Sequence, residues 1–529
     1  MEDVETLLER LTLEEKAALC AGSSMWLTTA IPRLGIPALK VSDGPIGVRG
    51  GSFSDGPPSA CFPNASALGA TWSPEAIAEM GIALGQEAKS KGVHVVLGPT
   101  VNLHRSPLGG RHFEAYSEDP LLTARLCVAF VKGVQSQGVG TSVKHYVAND
   151  SEFERMSISS EVDERTLREV YLRPFEAAVR EADAWTVMAA YNKLNGTFCA
   201  EHGELLLDIL EGEWGFEGVV MSDWFGVRDT VASANGGLDL EMPGPARCFG
   251  EALVVAVKDG RVSEACVDRK VRRILRLVAR TQAAPGDTDR PERAEDRLEH
   301  RALARRLARD SAVLLRNEEG VLPLDPERLS RLAVIGPNAA VTSALGGGSS
   351  RVLPHYESHA LDAIREAAGA GVEVRYEPGC SSFKTVPALD PGRVVTPAGE
   401  PGFELAFFDS LDLSGEPVSV RTTRDADHTW LGEIAPGIDP LRFSARLRGR
   451  FTPAVDGLQT FALGCAGKAR LWIDGRLALD QWDSQEPGDS WFGAGSAERT
   501  VDLRLDADRP VELELAFSSE GVRTFEGTG

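Results

Sequence analysis

No uninterrupted apolar run in these 529 residues approaches 18, so hydropathy offers no membrane-spanning helix. The opening residues, MEDVETLLERLTLEEKAALC, are acidic and amphipathic and lack the basic-then-apolar order of a secretory leader. Basic charge is short as well: 56 Lys and Arg face 78 Asp and Glu, a net charge of -22. That balance argues against a nucleic-acid groove or an anionic membrane partner and leaves neutral or cationic ligands. The eight cysteines (20, 61, 127, 199, 248, 266, 380 and 465) are scattered, with no CxxC pair and no metal-ligand spacing. They read as reduced thiols, which points to a reducing, cytoplasmic compartment, and nothing calls for a metal or a cofactor. No solenoid-period repeat is present.

What is present is core-forming residue in quantity, 43% hydrophobic, enough for two to four domains at about 100 to 200 residues each. From about 30 to 285, short apolar runs (PALKVSD, VHVVLGPT, GTSVKHYVAND, AWTVMAAYN, GVVMSDW, GGLDLEMP) alternate with helical stretches such as PEAIAEMGIALGQEAKSKG. Repeated strand-helix units predict a (β/α)8-type, TIM-like barrel over 1–285, although a doubly wound sheet has the same local pattern. Residues 286–299, charged and punctuated by Pro and Gly, read as a linker. A helix followed by RLAVIGPNA and GVEVRYEPG begins an α/β sandwich domain over 300–394. Beyond it, 395–529 turns to short alternating runs and turns, the pattern of an antiparallel β-sandwich. The expected class is multidomain, α/β plus all-β.

In a barrel the polar residues that end the strands converge on one face, where barrel sites are built. Here they are Asp43, Lys144 with His145, Tyr191 with Asn192, and Asp223. Each has a plain local explanation: Asp43 a turn, Asp223 the cap of a following helix, and the loop carrying Arg105, Arg111, Glu114 and Glu118 a solvated surface. Together they describe a pocket for a neutral, polyhydroxylated ligand, because charged groups bond hydroxyls and an indole covers the apolar side of a sugar ring. A carboxylate there is suited to attack an anomeric carbon, and Lys144 and Arg111 are expected to hold the Asp223 pKa down.

The motifs SDGPIG, GGRHFEAYSEDP, VKHYVANDSEFER, VMAAYNKLNG, GVVMSDWFG and IGPNA, in this order over residues 1 to about 390, resemble glycoside hydrolase family three. The resemblance implies a retaining β-glycosidase with Asp223 as nucleophile. It also implies a glycone subsite of Asp43, Arg111, Lys144, His145 and Tyr191, with Met188 beside them and Trp224 towards the leaving group. Arg105 falls outside that shell. An Asp at position 43 resembles the glucosidase branch, which implies an exo-β-glucosidase acting on an oligosaccharide or small glycoside and favours glucose over xylose. A β-xylosidase or a non-catalytic sugar-binding protein is the alternative, and a homo-oligomer stays open. The segment RFTPAVDGLQTFALGCAGKARLWIDGRLALD resembles the protective-antigen type of β-sandwich, which either shapes the aglycone site or acts as a spacer; Asp474 in its turn suits turn chemistry better than calcium.

A retaining glycosidase also needs a second carboxyl group about 5 Å from the first. In the resembled family that acid/base is a Glu beyond the sandwich, and no residue here takes its place: Glu514, Glu520 and Glu526 sit in no matching motif. The His-based branch of the family does not fit either, since the next histidine after His145 is His202. The chain therefore reads as a piece of a longer enzyme, favoured over a site that a second polypeptide completes.

Overall fold

The computed structural model describes residues 3–52, 56–430, 434–488 and 495–522. It divides into two compact units, the first running to Pro378 and the second beginning at Gly379.

The first unit is built on five strands: β1 (Val41–Asp43), β2 (Val95–Leu97), β3 (Gly140–Tyr146), β4 (Thr186–Ala189) and β5 (Val219–Ser222). They lie side by side in chain order, all parallel, and every residue in them is buried. This explains why the runs do not alternate: a strand covered on both faces has no solvent side. The connecting helices include α1 (Pro74–Ser90), α2 (Pro120–Gln135), α3 (Arg173–Ala182) and α4 (Glu264–Thr281). Ser73 and Asp119 cap α1 and α2 by accepting first-turn N–H groups, and Pro74 and Pro120 supply the preset first helical residue. These two helices approach through Gly81 and Gly133, where a Cβ would stand 2.8 Å from the Phe130 carbonyl oxygen and 2.5 Å from that of Ala78. An alanine at either position would force the helices apart.

Of the eight strands expected, five are regular strands of this sheet among the described residues. The run GGLDLEMP contributes only isolated parallel bridges, Met221 to Leu240 and Ala21 to Glu241. Its carboxylates serve other ends: Asp239 accepts the Val220 N–H at 2.9 Å, and Glu241 accepts the N–H groups of Arg247, Cys248 and Phe249.

Residues 286–299, expected as a linker, are fastened to this unit. Glu292 pairs with the buried Lys40 and accepts the Gly51 N–H at 2.8 Å, and the Arg293 carbonyl accepts from Ser90 Oγ at 3.2 Å. Composition read as solvated charge what the fold uses as partners for buried groups. Helix α5 (Leu298–Asp310) continues the attachment, with His300 Nδ1 2.8 Å from Glu87 Oε1 and Leu307 buried. After it, β6 (Arg331–Ile335) and β7 (Glu373–Glu377) form a parallel pair with half-exposed faces.

In the second unit, β8 (Val394–Val395), β9 (Phe403–Phe408), β10 (Ser419–Thr423), β11 (Ser444–Phe451), β12 (Gly457–Leu463), β13 (Lys468–Ile473), β14 (Arg476–Gln481), β15 (Arg499–Leu505) and β16 (Val511–Ser518) pair antiparallel throughout. The main sheet runs β10, β9, β11, β16, β13, β14, with β8 on β11, and β12 and β15 form a second sheet. Their inward residues, among them Phe403, Phe407, Leu447, Phe461, Leu471 and Leu513, share one core. The WIDG turn is turn chemistry: Asp474 has φ +48, and its Oδ1 accepts the Glu512 N–H at 2.9 Å. Glu514 pairs with Arg448 and Glu520 with Lys468, while Glu526 lies outside the described residues.

Candidate active site

Strand register places the chemistry. Asp43 stands beside Leu97, Val95 beside Gly140, Ser142 beside Thr186, and Met188 beside Met221. Because side chains alternate, Asp43, Lys144, Met188 and Asp223 all fall on one face of the sheet. Lys144 Nζ donates to Asp43 Oδ1 at 2.9 Å, and both side chains are buried. Removing Asp43 would leave the buried Lys144 without this partner, at a cost of about 3–5 kcal/mol. Regular alternation would send His145 to the opposite face; the β3–β4 register shifts between Val143 and Tyr146, and His145 reaches the site as well.

His145 is aimed by Asn102. Asn102 Oδ1 accepts the His145 N–H at 3.0 Å and lies 2.9 Å from Nδ1, while Asn102 Nδ2 donates to the His145 carbonyl at 3.0 Å. Burial, with Arg111, Lys144 and Arg155 nearby, holds the imidazole well below its usual range, so it is neutral. With Nδ1–H given to Asn102, the lone pair is on Nε2, 3.6 Å from Asp223 Oδ2. Nε2 is thus an acceptor facing the site.

Asp223 follows β5, whose end is clamped by Ser222: its Oγ accepts the Met242 N–H at 2.9 Å and donates to the Met242 carbonyl at 3.1 Å. Asp223 Oδ1 accepts the Trp224 N–H at 2.7 Å, and Oδ2 is buried without a hydrogen-bond partner among the described residues. The helix that follows, Thr230–Gly236, is capped by Asp229, so capping is not the role of Asp223. The expected depression of its pKa is not what the environment produces. Burial pushes the carboxyl above the usual range, and the opposing pull of Arg111, Lys144 and Arg155 does not cancel it.

Arg111 grips Glu114 with two bonds, Nε to Oε1 at 3.0 Å and Nη2 to Oε2 at 2.9 Å. Burial raises the Glu114 carboxyl, but the Arg111 guanidinium outweighs it and holds the group below its usual range. Tyr191 donates to the Trp224 carbonyl at 2.8 Å, and the Arg155 guanidinium lies 5.0 Å from its ring. Trp224 donates Nε1 to the Met25 carbonyl at 3.0 Å and packs at 5.4 Å on Trp26, whose other neighbour is Arg49 at 4.7 Å. Arg49 Nη2 also lies 3.6 Å from Asp43 Oδ2.

The structure therefore gathers Asp43, Lys144, His145, Tyr191, Asp223 and Trp224, with Arg111 close enough to act on the charge of His145 and Asp223. Met188 is buried on the same face. Asn192 is structural, donating to the Val147 and Lys193 carbonyls; Glu118 and Arg105 are exposed, Arg105 lying against Tyr171. A separate surface hollow, lined by Ala18, Ala21, Gly22, Ser23 and the start of the Glu251–Lys258 helix, includes none of the site residues.

Residues 13–277 match the glycosyl hydrolase family 3 N-terminal domain. The chain belongs to this family. Residues 399–526 match the PA14 domain. A beta-glucosidase of Rhizobium radiobacter is 47% identical over 517 residues, which are 98% of this chain and 62% of the relative. A beta-glucosidase crystal structure from Kluyveromyces marxianus superposes with a TM-score of 0.93 at 36% identity, covering 100% of this chain and 64% of that one. The same enzyme in complex with glucose gives 0.91, covering 98% and 64%. The chain thus spans somewhat under two thirds of the length of these family 3 relatives.

Sequence reasoning left several site residues unassigned. Asn102 closes the run VVLGPTVN, so the strand-end rule applied to β2 would have found it. Arg49 and Arg155 lie inside or beside quoted motifs, and a buried arginine calls for a partner. Trp26 had no local signal, since it meets Trp224 only through the tertiary fold.

Asp150, on the loop after β3, gives a pH prediction. Burial pushes its carboxyl up to about 6 from 3.8, against the Leu103 N–H bond and the charge of Arg105. A carboxyl raised on folding contributes stability that is present below the unfolded value and lost as pH rises through the folded one. Melting curves between pH 4.5 and 8 should show Asp150→Asn gaining a few degrees on the parent as pH passes about 6. A difference that shrinks over that window would contradict the assignment.

Proposed function

We propose that this chain carries the glycone subsite and the nucleophile of a retaining exo-β-glucosidase, which removes terminal non-reducing β-D-glucosyl residues from oligosaccharides or small glycosides. The observation that carries the reading is the Asp223 carboxylate: Oδ1 is pinned by the Trp224 N–H, Oδ2 is left unpartnered, and the group shares a face with the Asp43–Lys144 pair. In the first step Oδ2 bonds to the anomeric carbon as the glycosidic C–O bond breaks, the bonding pair leaving with the oxygen, which takes its proton from water. In the second, water breaks the ester to Asp223, releasing the sugar with its β configuration and returning the carboxylate. His145 Nε2 accepts from a glycone hydroxyl, and Lys144, Arg111 and Arg155 stabilise the carboxylate that returns. The beta-glucosidase relatives and the glucose complex of the Kluyveromyces marxianus enzyme support glucose as the glycone. The five parallel strands in chain order, with the bridges of the GGLDLEMP run beside them, support a TIM-type barrel. Eight cysteines without a disulfide support a reducing, cytoplasmic location.

A panel of aryl β-glycosides with one good leaving group tests the sugar preference. A hydrogen bond from the sugar to a buried charge such as Asp43 is worth about 1.5–3 kcal/mol, so the glucoside should exceed the xyloside by roughly tenfold to a hundredfold in kcat/KM. An equal or faster xyloside would overturn glucose as the substrate.

A further inference from the structure

Asn149 is 6% exposed, yet neither its Nδ2 nor its Oδ1 has a hydrogen-bond partner among the described residues. Buried amides are ordinarily satisfied, and one left unmade carries its full desolvation cost, so the group calls for a partner that the protein does not supply. The backbone around it is held firmly. Ala148 takes a left-handed φ of +58, and its carbonyl accepts from Ser160 Oγ at 2.9 Å. On the other side, Asp150 Oδ1 accepts the Leu103 N–H at 2.6 Å. Both neighbours are tied down while the amide between them stays unpaired.

The residue lines a small hollow with Asn102, Asp150 and Glu152, which meets the site at Arg111 and His145. The charged and imidazole groups there are each restricted in role or already engaged. Arg111 can only donate, and its Nε and Nη2 go to Glu114; Glu152 can only accept, and it is paired with Arg155 at 2.6 Å; Asp150 Oδ1 is taken by the Leu103 N–H; the neutral His145 offers a lone pair at Nε2. A primary amide does both, which matches a sugar hydroxyl that is donor and acceptor at once.

We propose that Asn149 is a substrate-contacting residue that binds a glycone hydroxyl, Oδ1 accepting and Nδ2 donating, beside the hydroxyl taken by His145. The assignment rests on the β-glucosidase reading and adds a specificity contact to it. Because the amide is buried and otherwise unsatisfied, a glycone lacking that hydroxyl leaves both of its groups unmade, and discrimination is correspondingly strong.

The test uses the chain as it stands, with D-glucose and its monodeoxy analogues as probes and binding read by calorimetry. Asn149→Ala should weaken glucose by about tenfold to a hundredfold. One monodeoxy glucose should lose a similar factor on the parent and almost none on the variant. Asn149→Asp, which keeps the shape and Oδ1 but removes both donors, should also lose affinity, and it covers the case in which the alanine variant does not fold. Glucose affinity unchanged in a folded variant, with a lowered melting temperature, would assign the amide to an internal water and overturn the proposal. Should the parent neither bind glucose nor be labelled by an activated 2-deoxy-2-fluoro-β-glucoside, the β-glucosidase reading fails, and this one with it. A parent that is labelled beside an Asn149 variant with parental affinity removes the Asn149 assignment alone.

Discussion

Asp223→Asn should cut turnover of an activated aryl β-glucoside by about 10⁴-fold or more, the scale expected when a covalent nucleophile is removed. Glucose affinity should stay within a few-fold of the parent. The amide keeps the acceptor for the Trp224 N–H and fills the same space, so Asp43, Lys144 and His145 remain in place. Stability should rise at neutral pH, because the ionised carboxyl is held in surroundings that push its pKa up. Together these readouts separate a chemical role from a structural one: a structural Asp223 would lose stability and binding along with rate. The same raised pKa gives the pH dependence its sign. The nucleophile is the ionised form, so inactivation by a fluoroglucoside should slow as pH falls through the folded pKa and level off above it.

The second large effect concerns the leaving group. Of the carboxylates in and around the site, Asp43, Glu114 and Glu152 are ion-paired with Lys144, Arg111 and Arg155 respectively, and Asp150 accepts the Leu103 N–H at 2.6 Å. Each of these four carboxyl groups is thus held by a partner within the protein. General acid catalysis contributes about 10²- to 10⁴-fold. This chain should therefore cleave dinitrophenyl β-glucoside or β-glucosyl fluoride readily and alkyl β-glucosides slower by that further factor. The rate of glycosylation should fall steeply as the leaving alcohol becomes more basic. A flat dependence across such a series would mean that an acid acts in this chain, and the ion-paired Glu114 and Glu152 would be the first to test.

Much of this site was legible because the parallel strands are short, wholly buried runs that end in polar residues of the site. Asp43, Lys144, Tyr191 and Asp223 could be found by that rule, and the family motifs supplied roles for them. Other features depended on information that no local pattern holds. His145 beside Lys144 violates strand alternation, and it works only because the register slips between Val143 and Tyr146. Trp26 and Asn102 acquire their partners through the fold. The charge balance around Asp223 was misread from sequence because neighbouring cations are visible there while depth of burial is not, and burial dominates. For the same reason residues 286–299 looked like a solvated linker, when Glu292 answers the buried Lys40. The GGLDLEMP run looked like a sixth regular strand, but it spends its carboxylates on neighbouring backbone N–H groups.

The measurement that bears most directly on this account is intact mass after incubation with an activated 2-deoxy-2-fluoro-β-glucoside, followed by peptide mapping. A single fluoroglucosyl adduct on the peptide containing VVMSDWFG, absent in Asp223→Asn, is the expected result. An adduct on another carboxylate, or none on folded protein that binds glucose, would contradict Asp223 as the nucleophile and leave a sugar-binding protein in its place.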